Sequence, residues 1–343
     1  MSAQHYYGGI DVGSTTVKLV IMDDQHKTHF SRYERHYSDV KAATEKIMKE
    51  AIAEIDSQTP ISFTITGSGG IGLANLLELK FVQEVIACTK TVETLIPETD
   101  VSIELGGEDA KITFFGASLE QRMNGSCAGG TGAFIDQMAT LLKTDASGLN
   151  TLAKDAKTIY PIASRCGVFA KTDVQPLIND GARKEDIAAS IFQAVVNQTI
   201  SGLAAGHKIK GNVAFLGGPL YFMDQLRVRF IDTLKLTPEE VIFPEDPQLF
   251  VAKGACLYAV DQPQTNLDNL IDKLENGDDS GMHPSSSLEP LFKDDNELQE
   301  FRKRHAQAQV ETRDLDSYRG TAFLGIDAGS TTTKVALISD DNK

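Results

Sequence analysis

Gly9-Ile10-Asp11-Val12-Gly13-Ser14-Thr15-Thr16 is the stretch whose reading decides the fold. Apolar Tyr7–Ile10 leads into it and Lys18–Met22 leads out, so the pattern predicts a strand, a tight turn and a second strand. Gly13 permits the turn and the close approach of backbone to a phosphate. Ser14, Thr15, Thr16 and their backbone N–H groups offer donors to phosphate oxygens. Asp11, at the strand end, is placed to hold Mg²⁺ through water, because Mg²⁺ keeps most of its hydration shell. Lys18 adds positive charge.

Further along, Val101–Leu105 and Lys111–Phe115 predict a second strand–turn–strand around Gly106-Gly107-Glu108-Asp109. Two such turns facing each other clamp a triphosphate from both sides. Asn212–Leu216 predicts a strand entering Gly217-Gly218-Pro219, small residues that admit a flat adenine and ribose. Between these signals, Ser38–Glu54, Ala133–Leu142 and Lys184–Ala205 carry helical periodicity and Ile61–Thr66 reads as a strand. Strand and helix signals alternate over 8–260, which predicts an α/β fold.

This ordered set resembles the phosphate-1, phosphate-2 and adenosine motifs of the actin/Hsp70/hexokinase superfamily. Gly67-Ser68-Gly69-Gly70 and Lys253-Gly254-Ala255-Cys256 match its two connecting segments. The resemblance implies a two-lobed, ribonuclease H-like ATPase fold. Lobe I would span 6–98 plus 250–260, lobe II 99–249, with ATP in the cleft between them. It puts Asp11, Glu104 and Asp109 at Mg²⁺ and the attacking water. Gly13–Thr16, Lys18, Gly106, Gly107, Gly217 and Gly218 would hold the nucleotide. The family usually carries Asp where Glu104 stands, and close relatives Gln where Glu108 stands.

Four cysteines and no Cys-x-x-Cys argue against a zinc ribbon. Cys127 lies in Asn124-Gly125-Ser126-Cys127-Ala128-Gly129-Gly130-Thr131-Gly132, and Cys166 in Ser164-Arg165-Cys166-Gly167-Val168-Phe169-Ala170. Both precede predicted helices, whose N-termini stabilise thiolates. On spacing alone the pair fits either buried thiols or ligands. Two cysteines cannot complete a [4Fe–4S] cluster unless a symmetric partner adds two more. The two motifs resemble the activators of 2-hydroxyacyl-CoA dehydratases and the ATPase subunits of benzoyl-CoA reductase, the BadF/BadG/BcrA/BcrD type. That resemblance covers about 6–260. It implies a homodimer bridged by a [4Fe–4S] cluster on Cys127 and Cys166, with Gly130, Thr131 and Gly132 at the nucleotide. It also implies a partner dehydratase or reductase carrying its own iron–sulfur cluster, on a separate chain or in the same longer polypeptide. Cys88 and Cys256 read as packing residues.

The opening stretch recurs. Gly325-Ile326-Asp327-Ala328-Gly329-Ser330-Thr331-Thr332-Thr333-Lys334 matches Gly9–Lys18 at eight of ten positions. Residues 321–343 therefore read as the truncated start of a second module, one that binds no ATP in this fragment. Residues 261–320, with 14 Asp/Glu against 7 Lys/Arg, read as an acidic linker or small accessory region with a helix near Glu297–Gln307.

Composition excludes other classes. A net charge of -15, no Trp and 7% aromatic residues argue against nucleic-acid or anionic-membrane binding. No apolar run reaches the ~18 residues of a membrane span, and nothing at the N-terminus looks like a secretory signal, so the expected location is the cytoplasm. Two other functions stay open: a small-molecule kinase of sugar type, and a nucleotide-binding regulatory module without turnover.

Overall fold

β1 (Tyr6–Val12) and β2 (Thr16–Asp23) form from the opening stretch and pair antiparallel, with Asp11 opposite Lys18. The computed structural model describes residues 5–116, 118–124, 129–163, 167–277, 289–329 and 332–343. β3 (Thr28–Arg35) adds to β2, and α1 (Val40–Ala51) follows. β4 (Ile61–Thr66) then returns parallel to β1. After α2 (Gly70–Leu77), the short β5 (Lys80–Phe81) pairs parallel with β4, and α3 (Glu84–Leu95) leaves the sheet.

The second lobe repeats the same plan. β6 (Val101–Leu105), β7 (Ala110–Phe114) and β8 (Glu120–Met123) form an antiparallel meander. The helices α4 (Gly132–Leu141), α5 (Ala146–Ala153), α6 (Gly167–Asn179) and α7 (Lys184–Leu203) intervene. β9 (Val213–Leu216) then pairs parallel with β6, just as β4 does with β1. α8 (Gly218–Phe222) and α9 (Asp224–Leu234) lead to β10 (Val241–Ile242), parallel to β9. The sheet orders are therefore the same: meander, then a parallel fourth strand beside the first, then a fifth.

Each sheet is covered on both faces, which is why the central strands read as nearly continuous apolar runs. In β2, Leu19 and Ile21 pack with Ile47 of α1, while Val20 and Met22 face Ala252 and Cys256 of the returning helix α10 (Phe250–Tyr258). In lobe II, Ile103 and Ile112 pack with Phe134 and Phe192, and on the other face Leu216 meets Ala87 and Val92 of α3. α3 and α10 thus cross between the sheets. Any side chain at Gly254 of α10 would clash with the Ala87 carbonyl of α3, so this crossing needs the small residue read from the sequence. Cys88 and Cys256 are buried free thiols, and burial raises the pKa of both.

The chain past 260 differs from a plain linker. β11 (Gln264–Thr265) pairs antiparallel with β4, and α11 (Leu267–Asn276) packs Leu267, Leu270 and Leu274 into the lobe I core. Its four apolar residues lie at 267, 270, 271 and 274, a helical stripe that the acidic composition of the region obscures. The chain divides into two compact units, Met1–His283 and Pro284–Lys343. The second unit has α12 (Asp295–His305) and an antiparallel hairpin of β12 (Ala322–Ala328) and β13 (Thr333–Ser339). Among the described residues no helix is long and apolar enough to cross a membrane.

Candidate functional site

The two strand–turn–strand loops face one another. A methyl group placed on Gly107 would stand 2.5 Å from Thr15 Oγ1 and 2.9 Å from Ser14 Oγ. Between the lobes opens a cleft of about 590 Å³, lined by Thr15, Thr16, Gly107, Gly132, Gly218 and Tyr33 among others. Each turn is closed by its own backbone, Gly13 N–H to Thr16 O at 2.9 Å and Gly106 N–H to Asp109 O at 2.8 Å. Gly217 has φ +90°, and a side chain there would clash with the Leu105 carbonyl, so β6 and the β9–α8 turn lie in direct backbone contact.

α4 grows from the second turn. Gly132 N–H donates to Gly106 O at 3.0 Å and Ala133 N–H to Gly107 O at 2.7 Å. Gly132 lines the cleft, whereas Thr131 and Gly130 are buried behind it, with Gly130 against Gln198 of α7. Cys127 and Cys166 lie outside the described residues.

Behind the turns lies a buried charge cluster. Asp11 is 2% exposed and accepts from Lys18 Nζ at 2.8 Å through Oδ2. Its other oxygen, Oδ1, is buried with no hydrogen-bond partner among the described residues. Lys111, 2% exposed, donates to Glu84 at 2.5 Å, Asp109 at 2.7 Å and Glu104 at 3.2 Å. Burial works against its ammonium, but Glu104, Glu84 and Asp109 outweigh it and hold its pKa well above the usual lysine value. Glu84 moves the other way. Burial, reinforced by Asp11, Glu104 and Asp109, pushes its carboxyl up to about 7 despite Lys111. The structure thus brings Asp11, Lys18, Glu104 and Asp109 together, and adds Glu84 and Lys111. Lys111 left one trace in the sequence, a cation inside the apolar run Ala110–Phe114. Glu84 left none, since a Glu in a first helical turn is commonplace. β3, which supplies Tyr33 and Arg35 to the cleft rim, reads as polar and gave no strand signal.

Two α/β lobes of the same plan, with paired glycine turns over a shared cleft, define a nucleotide-binding fold of the actin/Hsp70/hexokinase class. The chain belongs to the BadF/BadG/BcrA/BcrD ATPase family, whose model matches residues 9–259. It is 32% identical over 266 residues to the 2-hydroxyisocaproyl-CoA dehydratase activator of Clostridioides difficile, covering 75% of this chain and 96% of that protein. The crystal structure of (R)-2-hydroxyglutaryl-CoA dehydratase component A from Acidaminococcus fermentans superposes with a TM-score of 0.64 at 27% identity, covering 74% of this chain and 97% of that one. The 2-hydroxyisocaproyl-CoA dehydratase activator of Clostridium difficile with bound ADPNP gives 0.63 at 26% identity, covering 82% and 100%. Two of these relatives are thus named as dehydratase activators, one of them solved with ADPNP bound, and a further relative, 30% identical over 216 residues, is named as the (R)-2-hydroxyglutaryl-CoA dehydratase activating ATPase of Acidaminococcus fermentans.

Proposed function

We propose that this chain is an ATP-hydrolysing activator, working as a cytoplasmic homodimer, that couples nucleotide turnover to electron transfer towards a partner dehydratase or reductase carrying its own iron–sulfur cluster. The observation that supports it most is the junction of α4 with the second turn, Gly132 and Ala133 N–H on the Gly106 and Gly107 carbonyls. A nucleotide that draws on this turn also draws on the start of α4, the helix that follows Cys127 in sequence. A [4Fe–4S] cluster, with Cys127 and Cys166 of each subunit as ligands, would supply the one-electron chemistry when bound.

In this reading Ser14–Thr16, Gly106 and Gly107 cradle the phosphates and Gly217–Gly218 admit the nucleoside. Lys18 and Lys111 face the four carboxylates Asp11, Glu84, Glu104 and Asp109, so a triphosphate enters only with a cation. The unpartnered Asp11 Oδ1 fits a hydrated Mg²⁺ held by one carboxylate and the phosphates. Glu104 and Asp109 would orient the attacking water.

The test is purification without oxygen. Iron, sulfide and visible absorption are expected, lost in C127S and C166S while MgATP binding persists. A colourless, iron-free protein after anaerobic reconstitution overturns the reading. One observation favours a second reading, nucleotide binding without turnover: Glu104 and Asp109 are both engaged by Lys111. Tight MgATP binding with no phosphate release above background would select it.

A further inference from the structure

The turn Gly13–Thr16 is held from outside its own hairpin by the segment joining β3 to α1. His36 N–H donates to Thr15 O at 3.2 Å, and the His36 ring Nε2 lies 3.1 Å from Gly13 O. Ser38 N–H donates to His36 Nδ1 at 3.1 Å. A ring nitrogen that accepts an N–H carries no proton, so the neutral ring keeps its proton on Nε2 and donates it to Gly13 O. His36 is 7% exposed, so little water competes for these bonds. The chain bends sharply to achieve this. Tyr37 and Ser38 have φ of 45° and 68°, two successive non-glycine residues in the left-handed region. Such strain persists only where surrounding contacts over-determine it, and it gathers at functional sites. The bend is pinned beyond as well, by Asp39 N–H on His36 O at 2.7 Å and by Asp39 capping α1 through Ala42 N–H at 3.0 Å.

We propose that His36 is a positioning residue for the phosphate turn, and that residues 35–38 are a strap that keeps this turn in its nucleotide-binding shape. The inference rests on the reading that Gly13–Thr16 binds phosphate. Its physical basis is the orientation of peptide planes. In a planar peptide the N–H points away from the C=O. Holding the Gly13 carbonyl against the ring therefore also sets the direction of the Ser14 N–H. A flipped peptide would present a carbonyl to the anion instead of a donor. Glycine at 13 makes such a flip easy, and His36 opposes it.

The experiment compares wild type, H36A, H36Q and H36N in the full chain, with MgADPNP and MgADP affinities measured by calorimetry. The Gln amide nitrogen reaches the position of Nε2 and can donate to Gly13 O. The Asn oxygen reaches the position of Nδ1 and can accept only from Ser38. H36A is expected to bind MgADPNP about tenfold more weakly, the scale of one hydrogen bond. H36Q should recover most of that loss and H36N should not. Recovery by H36N equal to that by H36Q would show that the ring serves only the bend, and would overturn the proposal. So would H36A binding that equals wild type. A wild-type chain that binds no MgADPNP would instead overturn the functional reading, and the strap's role with it.

Discussion

Arg35 and Asp136 are joined across the mouth of the cleft, Nη2 to Oδ2 at 3.0 Å, linking the end of β3 in one lobe to α4 in the other. Both side chains are more than a third exposed, so the pair contributes about 1 kcal/mol at most. Asp136→Arg should weaken MgADPNP binding several-fold by placing two cations together, and R35D/D136R should restore part of it. The double-mutant cycle is expected to show a coupling of roughly 0.5 kcal/mol. Strictly additive effects would show that the pair plays no part in holding the closed cleft.

Two glycines separate affinity from stability. Gly107→Ala puts a methyl group against the Thr15 and Ser14 hydroxyls, between the facing turns. Its expected effect is MgADPNP binding about tenfold weaker with stability within about 0.5 kcal/mol of wild type. Gly217→Ala forces a left-handed φ and a clash with Leu105 O, so it should cost about 1–3 kcal/mol in chemical denaturation. Equal loss of stability in both would mean that Gly107 is structural.

Glu84 gives the site a pH signature. Its carboxyl titrates near 7 in the folded chain, against an ordinary value of 4.5. The folded state then holds a proton that the unfolded state has released, so this term is fully present below about pH 4.5 and is lost as pH rises through 7. The whole term is at most about 3 kcal/mol. In nucleotide-free protein, stability should fall between pH 5 and 7.5, and E84Q should flatten that fall. Parallel curves for both proteins would remove Glu84 as the source.

Leu270 of α11 is 1% exposed in the lobe I core. Leu270→Ala should cost about 2–5 kcal/mol in urea unfolding. A loss below about 0.5 kcal/mol would return this segment to the status of a linker.

Local pattern carried the fold a long way. Apolar runs ending in Gly gave β1, β4, β6 and β9, and their order around two phosphate turns gave the two-lobed class. The site was legible only in its turns. Lys111 reaches Glu84 across 27 positions and Arg35 reaches Asp136 across 101. No local periodicity encodes such pairs, because they follow from which faces of distant elements pack together. The His36 contacts to Gly13 and Thr15 depend likewise on a bend of two left-handed residues that no glycine announced.

The repeated stretch shows where sequence stops. The same residues twice make an antiparallel hairpin with Asp opposite Lys, Asp11 with Lys18 at 2.8 Å and Asp327 with Lys334 at 3.1 Å. That much the local sequence determined by itself, through strand propensity, the turn and the cross-strand pair. The environment differs. The Asp11 side chain is 3% exposed and that of Asp327 66%. In water such a pair is screened and worth little, whereas burial strengthens every charge near it and leaves Asp11 Oδ1 calling for a partner. Only the tertiary structure, by bringing β6–β7, α3 and α10 around the first hairpin, made it one wall of a cleft.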